Sequence, residues 1–455
     1  MVNKNLKNNY LKNLITIFTP EKKFNFVYFL SLFYLFNLSL TIIFGRPFVG
    51  LMILNQQLGK AYVLSGSISI GILLVIKYGN LVSLDKKFMA IVNVLLFISI
   101  SFIISLFLNG FRADLYIFKS SSYIWSLGYC VLGYYFLKNI KRELILFVIF
   151  CSAFGLYFAS TINYPNFIID IFISNSDKFQ LIKAADSLLI FVILNFFFEK
   201  YSNFDNRYKF LILMSSFGMF LPYYIYQSRG SLLASLLFFI LSLISYRKFI
   251  LKNLLLAFFY SLISFVLFYI SSYSIAFISL DKSLLPDTFS EANSTIVDNI
   301  LTEKEPRKGF LTFYIDNGRL QSLDATTNWR LDIWQDLTED LSSKDKLLLG
   351  FGYLEPFEIM NDPSEPGRLG RDGLNEHVHN YFFNIIGRGG LLQLFLFLLF
   401  YFYIFQIWIN KNLSILDFLK FFAPILIVSS LDVTMEGVHF PFIFLSFLGY
   451  ILSHD

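Results

Sequence analysis

Residues 391–409 read LLQLFLFLLFYFYIFQIWI, a run with no charged side chain. As a helix it would rise about 30 Å, the thickness of a bilayer's hydrocarbon core. A soluble helix of that length would carry charge along its solvent face. Runs of the same kind lie at about 25–44, 61–77, 88–108, 122–137, 143–159, 184–198, 210–226, 231–246, 253–279, 415–431 and 438–452. With 391–409 they predict an all-α integral membrane protein of about twelve transmembrane helices. The runs are continuous rather than alternating, which disfavours a β-barrel. Composition agrees: 56% of residues are hydrophobic and 15% charged, and mean hydropathy is +0.61. Soluble domains carry about 25% charge, so soluble, disordered and coiled-coil classes are excluded. Cys130 and Cys151 both lie inside apolar runs and define neither a disulfide framework nor a zinc site.

The first run follows Lys4, Lys7, Lys12, Lys22 and Lys23. It is long and lacks a small-residue cleavage site, and reads as a retained signal anchor. With the N-terminus in the cytoplasm, alternation makes the inside loops basic. They hold Lys77, Lys86 and Lys87; Lys138, Lys141 and Arg142; Lys200, Arg207 and Lys209; Arg247, Lys248 and Lys252; and Lys411 and Lys420. Both termini are then cytoplasmic. The whole chain, 1–455, reads as one multi-pass domain whose segment 280–390, between spans nine and ten, lies outside. That segment has a polar stretch (Asp281 to Arg307) and an amphipathic helix that Asn328 could cap, with Trp329, Leu331 and Leu337 among its apolar positions. Gly and Pro from Gly350 to Gly370 then mark turns. The segment reads as a partly helical cap holding part of an active site.

On this topology sixteen lysines lie inside and nine outside, but three arginines lie inside and nine outside. The outside arginines are Arg46, Arg112, Arg229, Arg307, Arg319, Arg330, Arg368, Arg371 and Arg388. Insertion treats the two cations alike, so topology does not explain the split. Chemistry does: guanidinium grips phosphate or carboxylate through two parallel hydrogen bonds. Arg46, Arg229 and Arg388 sit at membrane borders, where a lipid-linked pyrophosphate presents its charge. The plainer alternative is pairing with phospholipid headgroups or with acids such as Asp114 and Asp332. As a set, the arginines favour an anionic, lipid-linked substrate.

Two segments carry a family resemblance. QSRGSLLA (Gln227 to Ala234) exposes Arg229 at a tight turn before a span. HVHNYFFNIIGRGGLLQLFLF (His377 to Phe397) sets a His-Asn pair before an apolar stretch, a glycine-rich break and the run quoted first. Between them lie NWRLDIWQ (Asn328 to Gln335) and GFGY (Gly350 to Tyr353). This order resembles the O-antigen ligase and O-antigen polymerase superfamily. The motifs span roughly 210–400, and the topology resembles the family along the whole chain. One feature departs from the family pattern: Gly387, Gly389 and Gly390 stand where a Gly-x-x-Gly stop is usual.

The resemblance implies a bacterial inner-membrane glycosyltransferase of the C type, with its active site facing the periplasm. Its donor is an undecaprenyl-pyrophosphate-linked glycan, and transfer inverts the anomeric carbon without a metal or other cofactor. The residues agree on the last point. Asp114, Asp170, Asp177, Asp372, Glu376, Asp432 and Glu436 are scattered in sequence and form no Asp-x-Asp pair, so arginine clamps are the better match for the leaving pyrophosphate. Arg229 and Arg330 are the expected pyrophosphate ligands, with Arg388 facing the same pocket. His379 is the expected general base, with Asn380 orienting its ring or a sugar hydroxyl and His377 as the competitor. Either a structural role for His379 or a base role for the substrate itself remains open. The partners are the lipid-linked donor, a glycan acceptor, membrane lipids and a chain-length regulator; no nucleic acid is implied. Loosely kept motifs and a long outer loop favour a polymerase of repeat units. The alternatives are a ligase to lipid A core or another acceptor, and a polyisoprenoid-glycan transporter. The transporter would need repeats and midplane charges, which the sequence lacks.

Overall fold

The computed structural model describes residues 26–53, 55–79, 86–110, 115–161, 166–176, 183–276, 312–361, 368, 377–411 and 413–453. The N-terminal lysines, Arg112, Arg307, Arg371 and the stretch 281–307 lie outside the described residues. The chain runs α1 (Phe26–Phe44), α2 (Arg46–Val49), α3 (Leu58–Tyr78), α4 (Lys86–Leu108), α5 (Leu115–Ser120), α6 (Ser122–Trp125), α7 (Gly128–Phe136), α8 (Arg142–Thr161) and α9 (Asn166–Asn175). It continues as α10 (Ala184–Tyr201), α11 (Asn206–Gln227), α12 (Arg229–Lys252), α13 (Leu254–Ala276), α14 (Ala325–Ser343), α15 (Tyr381–Asn410), α16 (Ile415–Leu431) and α17 (His439–Ser453). Two short antiparallel hairpins interrupt the helices: β1 (Met52–Ile53) with β2 (Gln56–Gln57), and β3 (Phe313–Asp316) with β4 (Arg319–Ser322).

The all-α expectation stands, but the count of about twelve spans does not carry over. Among the described residues, eight helices are long and apolar enough to cross a membrane: α1, α3, α4, α8, α11, α12, α13 and α15. The other four runs are helical but differ for a physical reason. The run at 122–137 breaks into α6, α7 and a short turn at Leu137–Asn139. Helices α16 and α17 have 17 and 15 residues. Helix α10 packs against α8, α11, α12, α16 and α17, and every residue from Ala184 to Phe198 is buried. Meeting protein rather than lipid on all sides, it tolerates polar residues. Asp186 pairs with His439 at 3.0 Å, and Asn195 donates to Ser216 at 2.9 Å.

Close backbone approach holds α7 to α17. A Cβ on Gly133 would lie 2.1 Å from the Ser446 carbonyl, and one on Gly449 2.1 Å from the Cys130 carbonyl. At the other end of α10, a buried ion network ties it to α16. Lys420 is fully buried and donates to Glu199 at 2.6 Å, while Lys200 pairs with Asp417 at 2.7 Å. Lys420 therefore sits inside α16 and not in a loop. Removing one member of such a buried pair costs on the order of 3–5 kcal/mol.

The cap is built on α14. Ile333, Leu337 and Leu341, one turn apart, form an apolar stripe. They pack with Phe357, Ile359, Met360 and Val378 into a core separate from that of the membrane bundle. The expected amphipathic helix is present, but its cap differs. Asp324, not Asn328, begins it: Asp324 Oδ2 accepts from the Thr327 N–H at 3.1 Å. Asn328 lies inside the first turns and accepts from the Ser322 N–H at 2.9 Å, fastening β4 to the helix. Tyr353 plugs the cap into the bundle, buried between Tyr123 and Gln393, with its hydroxyl 2.8 Å from Gln393 Oε1.

Candidate active site

Four segments meet where the cap joins the bundle. The first is the start of α12. Ser228 is its N-cap and accepts from the Ser231 N–H at 3.3 Å, so Arg229 is the first helical residue. Its guanidinium lies 2.7 Å from Asp324 Oδ1. The second is the second turn of α14, which carries Trp329 and Arg330. Arg330 is half-buried, with Nε in no hydrogen bond among the described residues. Burial pushes its guanidinium below the usual range, and the charges of Asp432 and Asp324 oppose that.

The third segment is the approach to α15. His379 has φ +52°, a left-handed backbone costing a non-glycine residue about 1 kcal/mol. Such strain collects at functional sites because the surrounding contacts impose it. Val378 accepts from Trp334 Nε1 at 2.7 Å, and Asn380 caps α15 through the N–H groups of Phe382 (2.9 Å) and Phe383 (3.2 Å). Asn380 Nδ2 also donates to the Ser430 carbonyl at 3.0 Å. Clamped on both sides, His379 stands with its ring 5.0 Å from that of Trp329, edge to face. Burial pushes the imidazole down to about 4; Asp432 opposes, and Arg330 and Lys183 add to the fall. His379 is therefore neutral near pH 7, with a lone pair able to take a proton.

The fourth segment, 432–438, links α16 to α17 and was not expected in the site. Asp432 lies 3.9 Å from Lys183 Nζ, and its charge is felt by both His379 and Arg330. Glu436 is 4% exposed; Oε2 accepts from the Thr434 N–H at 3.0 Å and Oε1 has no hydrogen-bond partner among the described residues. Burial drives this carboxyl up to about 8, against weaker hydrogen-bond effects. It is thus protonated in the folded protein and ionised, at about 4.3, in the unfolded chain. The folded state binds the extra proton, so stability falls as pH rises from about 5 to about 8. The thermal midpoint should drop over that range, and Glu436→Gln should flatten the drop. An equally steep profile in the variant would remove Glu436 as its source.

The structure brings Arg229, Arg330, His379 and Asn380 together. Arg388 is held elsewhere. It is 3% exposed, donates to the carbonyls of Gly352 (3.2 Å) and Glu355 (2.5 Å) and to Tyr116 Oη (2.7 Å), and stacks 4.0 Å over Phe357. Its visible work is to fix the glycine-rich turn of the cap onto α15. There Gly390, at φ +71°, kinks the helix where a Cβ would meet the Leu348 carbonyl at 2.1 Å. His377 lies on the Arg388 side, pushed down to about 3 by burial and by Lys119, His379, Arg388 and Arg46. Arg319 and Arg368 also have protein partners, both pairing with Asp336 in α14.

Residues 210–401, which include Arg229, Arg330, His379 and Arg388, match the family model for O-antigen ligase. This stretch is similar to the O-antigen ligase family. No curated protein matches the chain. With eight helices of spanning length among the described residues, the protein is a multi-pass membrane protein. Lys183 precedes the matched stretch, and Asp432 and Glu436 follow it. The contribution of Lys183 and Asp432 was not legible from the motifs, because what brings them to His379 is the packing of α10 and α16 around α12.

Proposed function

We propose that the protein is a polymerase that joins undecaprenyl-pyrophosphate-linked oligosaccharide repeat units at the periplasmic face of the inner membrane. The observation that carries this reading is the convergence of two arginines with a neutral, clamped histidine where the cap meets the bundle. In the proposed step an acceptor sugar hydroxyl attacks the donor's anomeric carbon. The bond from that carbon to the pyrophosphate oxygen breaks, and its electron pair leaves with undecaprenyl pyrophosphate. Arg229 and Arg330 hold the leaving charge. The hydroxyl proton passes to His379. A single displacement inverts the anomeric centre. Asn380 fixes the backbone on which His379 stands.

The description of the matching family favours a second reading, transfer of the finished glycan to lipid A core or another acceptor. Both readings share the donor and the chemistry and differ in acceptor. Purified protein given lipid-linked repeat units alone should build a ladder of lengthening, lipid-linked chains. Absence of a ladder, with transfer appearing once lipid A core is added, would replace the polymerase reading by the ligase one.

A further inference from the structure

Asp324 has two tasks, and they are split between its two oxygens. Oδ1 lies 2.7 Å from the Arg229 guanidinium. Oδ2 accepts from the backbone N–H of Thr327 at 3.1 Å and from its hydroxyl at 2.5 Å, capping α14. One carboxylate therefore joins the first residue of α12 to the first turn of the helix that carries Trp329 and Arg330. Burial pushes this carboxyl up, but the bonds from Thr327 and Arg229 outweigh it and hold it below the usual range. The cations here are Arg229, Arg330 and Lys183. Asp324 and Asp432 balance them in part, and Arg330 feels both. A pyrophosphate brought to Arg229 meets a seat already taken by a carboxylate oxygen. Two anions at that distance repel, so an arriving pyrophosphate weakens the hold of Asp324 on Arg229.

We propose that Asp324 is a latch on the donor site: its carboxylate holds Arg229 until the donor's pyrophosphate displaces it, and the displacement frees the N-terminus of α14 to settle over the donor. The inference rests on Arg229 being a donor ligand, and it adds that the donor is sensed by the cap. Affinity is given up to the exchange, and what is gained is that Arg330 and Trp329 are repositioned only when the lipid pyrophosphate has arrived. The N-cap bond to Thr327 survives the exchange, because it uses the other oxygen.

Asparagine and serine cap helices about as well as aspartate but carry no charge. Asp324→Asn and Asp324→Ser should therefore keep α14 and abolish the latch. The probe is undecaprenyl pyrophosphate, titrated into purified protein in nanodiscs of constant lipid composition. Both variants should bind it about fivefold more tightly than the wild type, the loss of an ion pair of about 1 kcal/mol. Binding of undecaprenyl monophosphate should improve less, since one phosphate competes less for the seat. Equal improvement with vesicle-borne phosphatidylglycerol would assign the seat to headgroups and overturn the latch. Unchanged or weaker binding in either variant would also overturn it, by making Asp324 a support that holds Arg229 in place. Arg229→Ala tells the two failures apart. If it still binds undecaprenyl pyrophosphate as the wild type does, the donor-site reading itself fails. If its binding collapses, only the latch does.

Discussion

Arg229→Ala and Arg330→Ala should each lower the rate of chain extension by about 10²–10³-fold, the usual cost of removing a donor aimed at developing negative charge. The protein should still insert, since neither residue lies in the bundle core. Arg229 begins α12 and Arg330 sits on the cap helix, half-buried between Asp432 and Asp324. Lysine at either position should rescue poorly. Guanidinium offers a planar fork that meets two phosphate oxygens at once and keeps its charge when buried. An ammonium is a single, strongly hydrated point charge that loses its proton more readily on burial, and burial at Arg330 already disfavours the charged form. Lysine should therefore do worse at Arg330 than at Arg229.

His379→Asn should cost at least about a hundredfold in rate, in line with general-base contributions. Asparagine is the better test than alanine because it tolerates the left-handed backbone at φ +52° and so separates lost chemistry from added strain. The pH profile should carry the same signature. His379 is held down to about 4, so it stays neutral as pH rises and takes up a proton only in acid. The wild-type rate should be flat on the base side and fall only as pH drops toward about 4. Asp432 opposes the depression, so Asp432→Asn should push the fall to still lower pH and slow the reaction by weakening the base. A fall centred near pH 6.5, the ordinary value for histidine, would contradict the buried setting of the ring.

Most of the bundle could be read from hydropathy, because helices that face lipid must be apolar along their whole length. The runs that differ from a plain lipid-facing span are those that face protein. Asp186 and Asn195 are tolerated in α10 because partners surround it, and α17, with 15 residues, is shorter than a free span needs. Arg229 and His379 were legible as short motifs beside predicted spans, and the structure places them together. The partner of Arg229 was not, since Asp324 lies ninety-five residues away along the chain. The hairpin over β3 and β4 had its signal in Asn317-Gly318, both at positive φ in the turn, which the sequence reading passed over within a polar segment. The arginine excess was a mixed signal. Arg319, Arg368 and Arg388 contribute to it, yet they are bound to Asp336 or to cap carbonyls. Composition counts such arginines alike, and only geometry separates those that build the cap from those that face Asp324 and Asp432.

In the proposed step a guanidinium fork, rather than charge alone or a divalent ion, holds the leaving pyrophosphate. The most direct measurement is the turnover of purified wild-type protein and of the Arg229→Lys, Arg330→Lys double variant on lipid-linked donor in excess EDTA. The wild type should run at its full rate and the double variant at a few per cent of it or less. Loss of wild-type product in EDTA, restored by magnesium or manganese, would contradict the account, as would a double variant that keeps the wild-type rate.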